Sequence, residues 1–568
     1  MEMKERISVA KGATPADLIL CNARIVNTFI GEIEQGNVAI YGDRIAGIGD
    51  YTQGKQVIDL EGRYLAPGLI DGHIHIESSM LHPSVYASTV IPRGISTIIT
   101  DLHEIANVCG LKGIKFVLDS MRGIPLDIVL MVPSCVPATH LETAGASIDA
   151  AEIEKLLGDS RVIGLGEMMN FPGVINGFDD VLNKLYSFKG KVIDGHAPGL
   201  TGKELNAYIA AGILSDHEST SAGEGQEKLA KGMYLMIREG SSEKNLDALL
   251  PLITDKTYKR CMFVVDDRSC FDLFHEGDVD AVLRKAISKG LDPVRAIQMA
   301  TINPAEHFRL YDRGAIAPGY LANCIVTPDL HELKIDMVFY KGKMVARQGK
   351  VMYPPSGIKS GLQNTIHINP VTPEDLKLPG KGETYPVIEI VPGQIITKNK
   401  LAKVKLEGGF IVPDIERDIL KLVVVERHRS SGNIGLGLVK GFGLKKGALA
   451  SSIAHDSHNI IVVGTSDADI LTTIKELERL HGGLVVCADG QILSSLPLPV
   501  AGLLSTEPVE VVIQQFRELE IAAASIGSLP PAPFSILSFL ALPVIPELRL
   551  TDLGLVDVTA FKLIEQIR

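Results

Sequence analysis

The stretch LAPGLIDGHIHIES, Leu65–Ser78, decides how the rest of the sequence is interpreted. It is a short apolar run that ends in two histidines, His73 and His75, separated by one isoleucine. Side chains two positions apart on a strand point to the same face, so both imidazoles are expected to face one point. Neutral imidazole is a common metal ligand. Taken alone, the pair could equally be two histidines that bond to backbone groups.

The sequence changes character on both sides of this stretch. Residues 18–64 alternate apolar runs with Gly, Asn and Asp turns, as in short strands. From Leu65, apolar strands alternate with helix-like segments over about 200 residues, which indicates a parallel α/β architecture, and a (β/α)8 TIM-like barrel is the first choice. Short strand-like segments return after AIQMATINPAEHFRL.

These changes predict three domains. A split small β-sandwich domain takes residues 1–64 and 311–365 and flanks a metal-binding barrel of residues 65–310. The stretch INPVTPEDLKLPGKGETYP is expected to be a linker. Residues 387–568 are expected to form an additional C-terminal mixed α/β domain.

Charge and cysteine content exclude several functions. The formal net charge of -12 argues against a nucleic-acid partner. The seven cysteines contain no CxxC pair, which argues against a thiolate zinc site or a disulfide framework and favours the cytoplasm. The polar N-terminus lacks the apolar core of a secretory signal, and we expect no membrane partner. We expect a homo-oligomer.

Later strands also end in side chains that can bind a metal. The apolar runs VIGLGEMMN, VIDGHAPGL, GILSDHEST and CMFVVDDRS deliver Glu167, His196, His217 and the pair Asp266 and Asp267. One such residue could be an ordinary polar group at a strand end, but a series that follows an HxH pair favours a shared site. Four histidines and two carboxylates suit one or two divalent ions, with one carboxylate bridging them.

This set of motifs resembles the amidohydrolase superfamily, whose members are metal-dependent hydrolases with a barrel flanked by a split β-sandwich. PGLIDGHIH is similar to the first-strand motif, and TINPAEHFRLYDRGAIAPGYLANCIV is similar to the barrel exit. Many binuclear members carry a bridging carbamylated lysine on the fourth strand, where this sequence has Glu167. The resemblance covers roughly residues 18–350.

Within the superfamily, the sequence most resembles the adenine deaminase family. DGHIHIESSM, TDLHEIANVCG, GLGEMMNFPGV, SDHEST and LSFLALPVIPELRLTD carry this resemblance over nearly the whole chain. It implies hydrolysis of adenine to hypoxanthine and ammonia by a metal-bound hydroxide, with two divalent ions, Mn(II) or Fe(II). The sequence has no P-C-x-x-C motif, so the combined H-x-E…P-C-x-x-C signature of the zinc editing deaminases is absent.

The resemblance also implies roles for individual residues. Glu167 or Asp266 would move the proton during attack on C6 of adenine, and Asp101 could hold a purine N–H or be a solvated strand-end carboxylate. Asp267 would touch substrate or pair with Arg268, unless a bulge exchanges it with Asp266. The implied metal ligands are His73, His75, Glu167, His196, His217 and Asp266.

Three points remain open on the sequence alone. A deacetylase similar to those acting on N-acetylglucosamine 6-phosphate would also accept a glutamate ligand. A non-catalytic scaffold is the other alternative, although the full ligand series argues against it. The stretch HDSHN, residues 455–459, is expected to cap or bond the backbone rather than bind a metal.

Overall fold

The computed structural model describes residues 2–354, 357–358, 361–380, 382, 384–392 and 394–564. Small parts of the predicted domain ranges, residues 1, 355–356, 359–360, 393 and 565–568, lie outside the described residues. Among the described residues, no helix is both long and apolar enough to span a bilayer.

The chain begins with a helix and five strands. Their turns lie at Asn, Asp and Gly positions, as the sequence predicts. The bounds are α1 Glu2–Ala10, β1 Ala16–Asn27, β2 Glu32–Tyr41, β3 Arg44–Gly49, β4 Gly54–Asp59 and β5 Tyr64–Pro67.

Ten short strands follow, and their pairings describe a curled parallel sheet. The bounds are β6 Leu69–Asp71, β7 Ile74–His75, β8 Ile95–Thr100, β9 Asp127–Val132, β10 Val162–Met168, β11 Val192–Gly195, β12 Ser215–Asp216, β13 Tyr234–Arg238, β14 Cys261–Val264 and β15 Asp266–Asp267.

Strand order around this sheet follows the sequence. Strands β6, β8, β9, β10 and β11 pair in that order, and β12, β13 and β14 form a second parallel group. The Leu214 N–H donates to Ile193 O at 3.4 Å and links the two groups. The last strand, β15, pairs with β7, which brings Asp266 beside Ile74. The carboxyl ends of the first and last strands therefore meet.

The strands are buried because helices cover the outside of the sheet. Strand β8, ISTIIT, is buried along its whole length, which is typical of a parallel strand with both faces covered. The helices are α2 Pro83–Val90, α3 His103–Cys109, α4 Leu111–Ser120, α5 Ala150–Glu154, α6 Phe171–Asn176, α7 Asp179–Ser187, α8 Gly202–Ala210, α9 Ala222–Ala230, α10 Leu246–Leu249, α11 Cys270–His275, α12 Val279–Ser288, α13 Pro293–Met299 and α14 Ile302–His307.

After these helices, the chain returns to the first sheet. Strands β16 Cys324–Thr327, β17 Met337–Tyr340, β18 Lys343–Arg347 and β19 Lys350–Val351 are antiparallel to their neighbours. Strand β16 pairs with β5 through Ile325 and Ala66. In the described residues, the strands before the parallel sheet in the sequence, β1–β5, and those after it, β16–β19, therefore build one nine-stranded sheet.

Among the described residues, the C-terminal part contains an eight-stranded sheet, two three-stranded sheets and three helices. Its strands are β20 Leu378–Pro379, β21 Thr384–Ile390, β22 Thr397–Lys403, β23 Lys405–Glu407, β24 Phe410–Val412, β25 Ile419–Val425, β26 Ile434–Lys440, β27 Ala448–Ser451, β28 Ile460–Gly464, β29 Gly483–Ala488, β30 Gln491–Pro497, β31 Leu548–Thr551, β32 Gly554–Asp557 and β33 Lys562–Leu563. Its helices are α15 Asp467–Leu480, α16 Val509–Ser525 and α17 Pro533–Phe539.

Backbone hydrogen bonds join this part to the loop after the HxH strand. The Ser505 N–H donates to Met80 O at 2.8 Å, and the His82 N–H donates to Ser505 O at 3.0 Å. On another side, the Thr551 hydroxyl donates to Leu141 O at 2.7 Å. The C-terminal part is therefore packed against the strand ends where the predicted ligands lie.

Candidate metal centre

The carboxyl ends of the parallel strands bring the six predicted ligands into one buried cluster. His75 Nε2 lies 3.0 Å from Asp266 Oδ1 and 3.2 Å from Glu167 Oε1. His73 Nε2 lies 3.4 Å from the same Asp266 oxygen. The HxH pair therefore faces one point, as the two-residue period of a strand requires.

Glu167 lies at the middle of the cluster and faces a different histidine set with each oxygen. Its Oε1 faces His75 and His73, and its Oε2 lies 2.7 Å from His196 Nδ1 and 3.2 Å from His217 Nε2. Burial would raise the pKa of Glu167, but its contacts with His196, His217 and His75 hold that pKa well below its usual value. One ionised carboxylate thus joins two groups of imidazoles.

Asp266 and Asp267 face different surroundings. Asp266 has a φ of 60°, in the left-handed region, and its side chain faces His73 and His75. Asp267 instead contacts the Ser78 hydroxyl. A single left-handed residue at the strand end turns the two carboxylates to different neighbours, with Asp266 in the histidine cluster.

Asp101 and His103 complete one side of the cluster. Asp101 Oδ1 lies 3.3 Å from His75 Nδ1 and 3.0 Å from His103 Nδ1. Gly166 makes this approach possible, because a Cβ at residue 166 would lie 2.6 Å from the Asp101 Cβ. The carboxylate is buried and contacts two imidazoles, which excludes the solvated strand-end alternative for Asp101.

The donor set fits divalent cations. Buried His73 Nε2 has no hydrogen-bond partner and faces the oxygens of Asp266 and Glu167. Imidazole nitrogens and carboxylate oxygens are ligands that Zn, Mn, Fe and similar divalent ions accept. Several carboxylates collected in a buried place need compensating positive charge. Two histidine groups around one shared carboxylate suit a pair of ions.

Sequence comparisons place the chain among known proteins. The family model described as "Adenine deaminase C-terminal domain" matches residues 394–562, and the model described as "Amidohydrolase family" matches residues 64–345. An adenine deaminase of Dehalococcoides mccartyi is 62% identical over 565 residues, which cover 99% of each chain. "Adenine deaminase 2" of Carboxydothermus hydrogenoformans is 50% identical over 564 residues, again 99% of each chain. An adenine deaminase of Methanothrix thermoacetophila is 48% identical with the same coverage.

The chain belongs to the adenine deaminase family. The resemblance seen in the sequence motifs is therefore confirmed, and the amino-sugar deacetylase alternative is not favoured.

Two further residues of the cluster were missed from the sequence. Arg238 ends β13, and its Nη1 lies 2.8 Å from Asp266 Oδ2. It also contacts Glu218, whose Oε1 lies 3.4 Å from His217 Nε2. Burial would raise the pKa of Glu218, but Arg238 and the two neighbouring histidines hold it below its usual value. Glu167 was identified as a polar residue at the end of an apolar strand. The same reasoning applies to the apolar run MYLMI, residues 233–237, which Arg238 follows.

A cavity of about 710 Å³ adjoins the cluster. It is lined on one side by Glu77, Ser78 and Asp267, and on the other by His455 and Phe539 of the C-terminal part. The Asp267 carboxylate lies within 4.8 Å of ligand atoms of both His75 and Asp266. A larger groove of about 1830 Å³ lies between Ser84, Arg93 and Glu332. Neither cavity is lined by any of the six predicted metal ligands, and only the smaller one is lined by Asp267. Of the two, the smaller cavity lies nearer the cluster, because Asp267 lines it.

Proposed function

We propose that this member of the adenine deaminase family hydrolyses adenine to hypoxanthine and ammonia. The observation that carries the proposal is the position of Glu167, which joins two histidine groups near a cavity large enough to hold a purine. Full-length relatives named adenine deaminase, at up to 62% identity, support the same reaction.

Two divalent ions are proposed to occupy the cluster, and Mn(II) or Fe(II) is proposed for their identity. The proposed ligands are His73, His75, His196, His217 and Asp266, with Glu167 between the ions. The oxygen and imidazole donors support this choice, because they suit both metals. When bound, such ions lower the pKa of a water molecule so that it becomes a nucleophile at neutral pH.

The side chains of the cluster supply positioning and proton transfer. Arg238 pairs with Asp266 Oδ2, which keeps Oδ1 turned toward His73 and His75. Asp266 Oδ1 is proposed to accept the proton of the attacking water and to deliver it to a ring nitrogen or to the departing ammonia, with Glu167 as the second candidate. Protonation of the C6 amino group lets it leave as neutral ammonia rather than as an amide anion.

Two aspartates are proposed to contact the purine. Asp267 lines the cavity and is near enough to the cluster to touch a substrate that reacts there. Asp101 keeps its proposed contact with a purine N–H, and its contact with His75 Nδ1 also supports a role in orienting that ligand.

The finer architecture is proposed with the function. We propose that β6 to β15 form the eight strands of a TIM-like barrel of residues 65–310, with β6 and β7 counted as one strand and β14 and β15 as another. The β7–β15 pairing supports this closure. Residues 1–64 and 311–365 would form the split β domain, and residues 387–568 the C-terminal domain. The homo-oligomeric state and the cytoplasmic location stay predictions.

Ammonia release from a panel of purines tests the function. Protein loaded with Mn²⁺ or Fe²⁺ should deaminate adenine well and adenosine poorly, because the family match is to deaminases of the free base. The metal-depleted protein is the control. Equal kcat/KM for adenine and adenosine, or no ammonia from either, would contradict the proposal.

A further inference from the structure

A second buried carboxylate, Glu104, lies where the parallel sheet meets the C-terminal part. Its Oε1 lies 2.7 Å from His455 Nδ1, and its Oε2 contacts His458 Nε2. Both histidines belong to the HDSHN stretch, for which the sequence favoured backbone bonding. His458 does accept a backbone N–H, from Ala454, and both histidines also reach across the junction and contact Glu104, which follows β8.

Hydrogen bonding defines the protonation of this group. The Ala454 N–H donates to His458 Nδ1 at 3.2 Å, so the ring proton of neutral His458 is on Nε2, toward Glu104. A metal ligand would need that nitrogen without its proton. Glu104 with its two histidines is therefore better described as a carboxylate that orients imidazoles than as a third metal site.

His455 has one ring nitrogen left for a ligand. Its Nδ1 is paired with Glu104, and the side chain lines the 710 Å³ cavity together with Asp267. The imidazole also stacks on Phe539, with ring centroids 4.6 Å apart and an interplanar angle of 21°. These contacts hold the ring in one orientation, in which Nε2 is the atom available to a molecule in the cavity.

A single side chain connects this pair to the metal cluster. His103 Nε2 lies 3.4 Å from Glu104 Oε1, and His103 Nδ1 lies 3.4 Å from Glu167 Oε1. His455 is thus a cavity residue three contacts away from the proposed bridging carboxylate, although it is almost 290 residues away in sequence.

We propose that His455, oriented by Glu104, donates a hydrogen bond from its Nε2–H to a ring nitrogen of the bound purine. This role rests on the proposed function and makes the C-terminal part a contributor to the active site. A hydrogen bond to a ring nitrogen withdraws electron density from the purine and favours attack at C6. A carboxylate behind an imidazole fixes its orientation and stabilises its protonated form.

The surroundings of His455 favour its protonated form. The ionisable groups that face the ring are Glu104, Asp267, Asp456 and His458. Burial alone would lower the pKa of His455, but Glu104, Asp267 and Asp456 together raise it to about 9. A donor with this pKa is protonated at neutral pH and loses its proton as the pH rises through about 9.

Three substitutions of His455 distinguish hydrogen-bond donation by Nε2 from a purely structural role of the side chain. In His455→Gln, the side-chain amide nitrogen can occupy the place of Nε2, whereas in His455→Asn it can occupy only the place of Nδ1. We expect kcat/KM for adenine to fall about 100-fold in His455→Ala and His455→Asn and less in His455→Gln. Metal content and Tm of each variant, loaded with Mn²⁺, are measured on the same preparation. The wild-type decline in kcat/KM near pH 9 should be absent in His455→Gln.

The outcomes distinguish this role from the function on which it rests. A wild-type protein that releases no ammonia overturns the proposed function and this role together. An active wild type overturns this role alone if His455→Asn keeps kcat/KM within about threefold of it, or if His455→Asn and His455→Ala lose one bound metal ion. If His455→Ala does not fold, the difference between the Gln and Asn variants decides the question in the same way.

Discussion

Glu167 and Glu104 are both buried carboxylates between imidazoles, yet their surroundings differ in charge. Around Glu167 lie three further carboxylates, of Asp101, Glu218 and Asp266, and one guanidinium, of Arg238. Around Glu104, three histidines face one carboxylate, with Asp456 at the edge of the group. The first group holds four carboxylates and one guanidinium, an excess of acidic groups that bound cations would offset. In the second group, three histidines surround Glu104 and Asp456, and protonated histidine can neutralise the carboxylate. Similar residues can thus form a metal site or a proton-donating site, and the local charge balance decides between them.

The largest expected effect follows from removing the HxH pair. His73→Ala combined with His75→Ala should remove most bound metal and abolish adenine turnover, because both imidazoles face the shared point of the cluster. Elemental analysis and ammonia release measure the effect. The matched control is His140→Ala with His331→Ala, since both of those residues are exposed. Normal metal content in the first variant would contradict the ligand assignment.

Glu167→Gln keeps the side-chain shape but removes the charge between the two histidine groups. We expect the loss of one ion per chain or a loss in kcat of about 10³-fold, because a neutral amide cannot hold two cations together. The exposed residue Glu510 supplies the control, as Glu510→Gln. Wild-type activity and metal content in Glu167→Gln would show that it is only a polar group at a strand end.

The neighbouring residues Asp266 and Asp267 are predicted to have different roles, which the kinetics of their Asn variants can distinguish. Asp266→Asn should lower kcat by at least about 10²-fold, the usual contribution of a general base. Asp267→Asn should cost less and mainly raise KM, because Asp267 lines the cavity. Kinetics and metal content of both variants are needed. A near-normal Asp266→Asn beside an inactive Asp267→Asn would reverse the two roles.

The smallest expected effect on activity comes from Glu104, the carboxylate of the second group, whose replacement should not change the metal content. Glu104→Gln should leave two ions per chain and lower kcat/KM about tenfold, because His455 then loses the charge that orients it. It should also destabilise the fold by about 3 kcal/mol, as expected when one partner of a buried ion pair is removed. Elemental analysis and thermal unfolding measure the two effects. Loss of a metal ion in Glu104→Gln would remove the distinction between the two carboxylates.

Much of the cluster could be predicted because strand ends are local features of a sequence. An apolar run followed by His or Glu indicates where a side chain emerges, and parallel strands collect those ends at one edge. This reasoning found His196 and His217 although the two lie on separate strands. The same reasoning predicted a strand–helix alternation, which the curled parallel sheet follows.

The remaining features depend on contacts between distant segments. The pairing of His455 with Glu104 joins residues 351 positions apart, and no local pattern encodes it. The Arg238 guanidinium cannot be found by a search for metal ligands, because arginine is not one. The orientation of Asp266 depends on one backbone angle, which the sequence DD leaves open.

That backbone angle restricts which residues position 266 can accept. Aspartate and asparagine are among the few residues other than glycine that adopt a φ near +60° without a large penalty. In a saturation library, we expect Asn and Gly variants to fold yet be impaired, whereas Val and Ile variants would fail earlier, at the level of soluble expression. Glutamate would keep the charge, but it rarely adopts the left-handed backbone conformation of this position. The position is therefore constrained twice, once by its chemistry and once by the conformation that presents it.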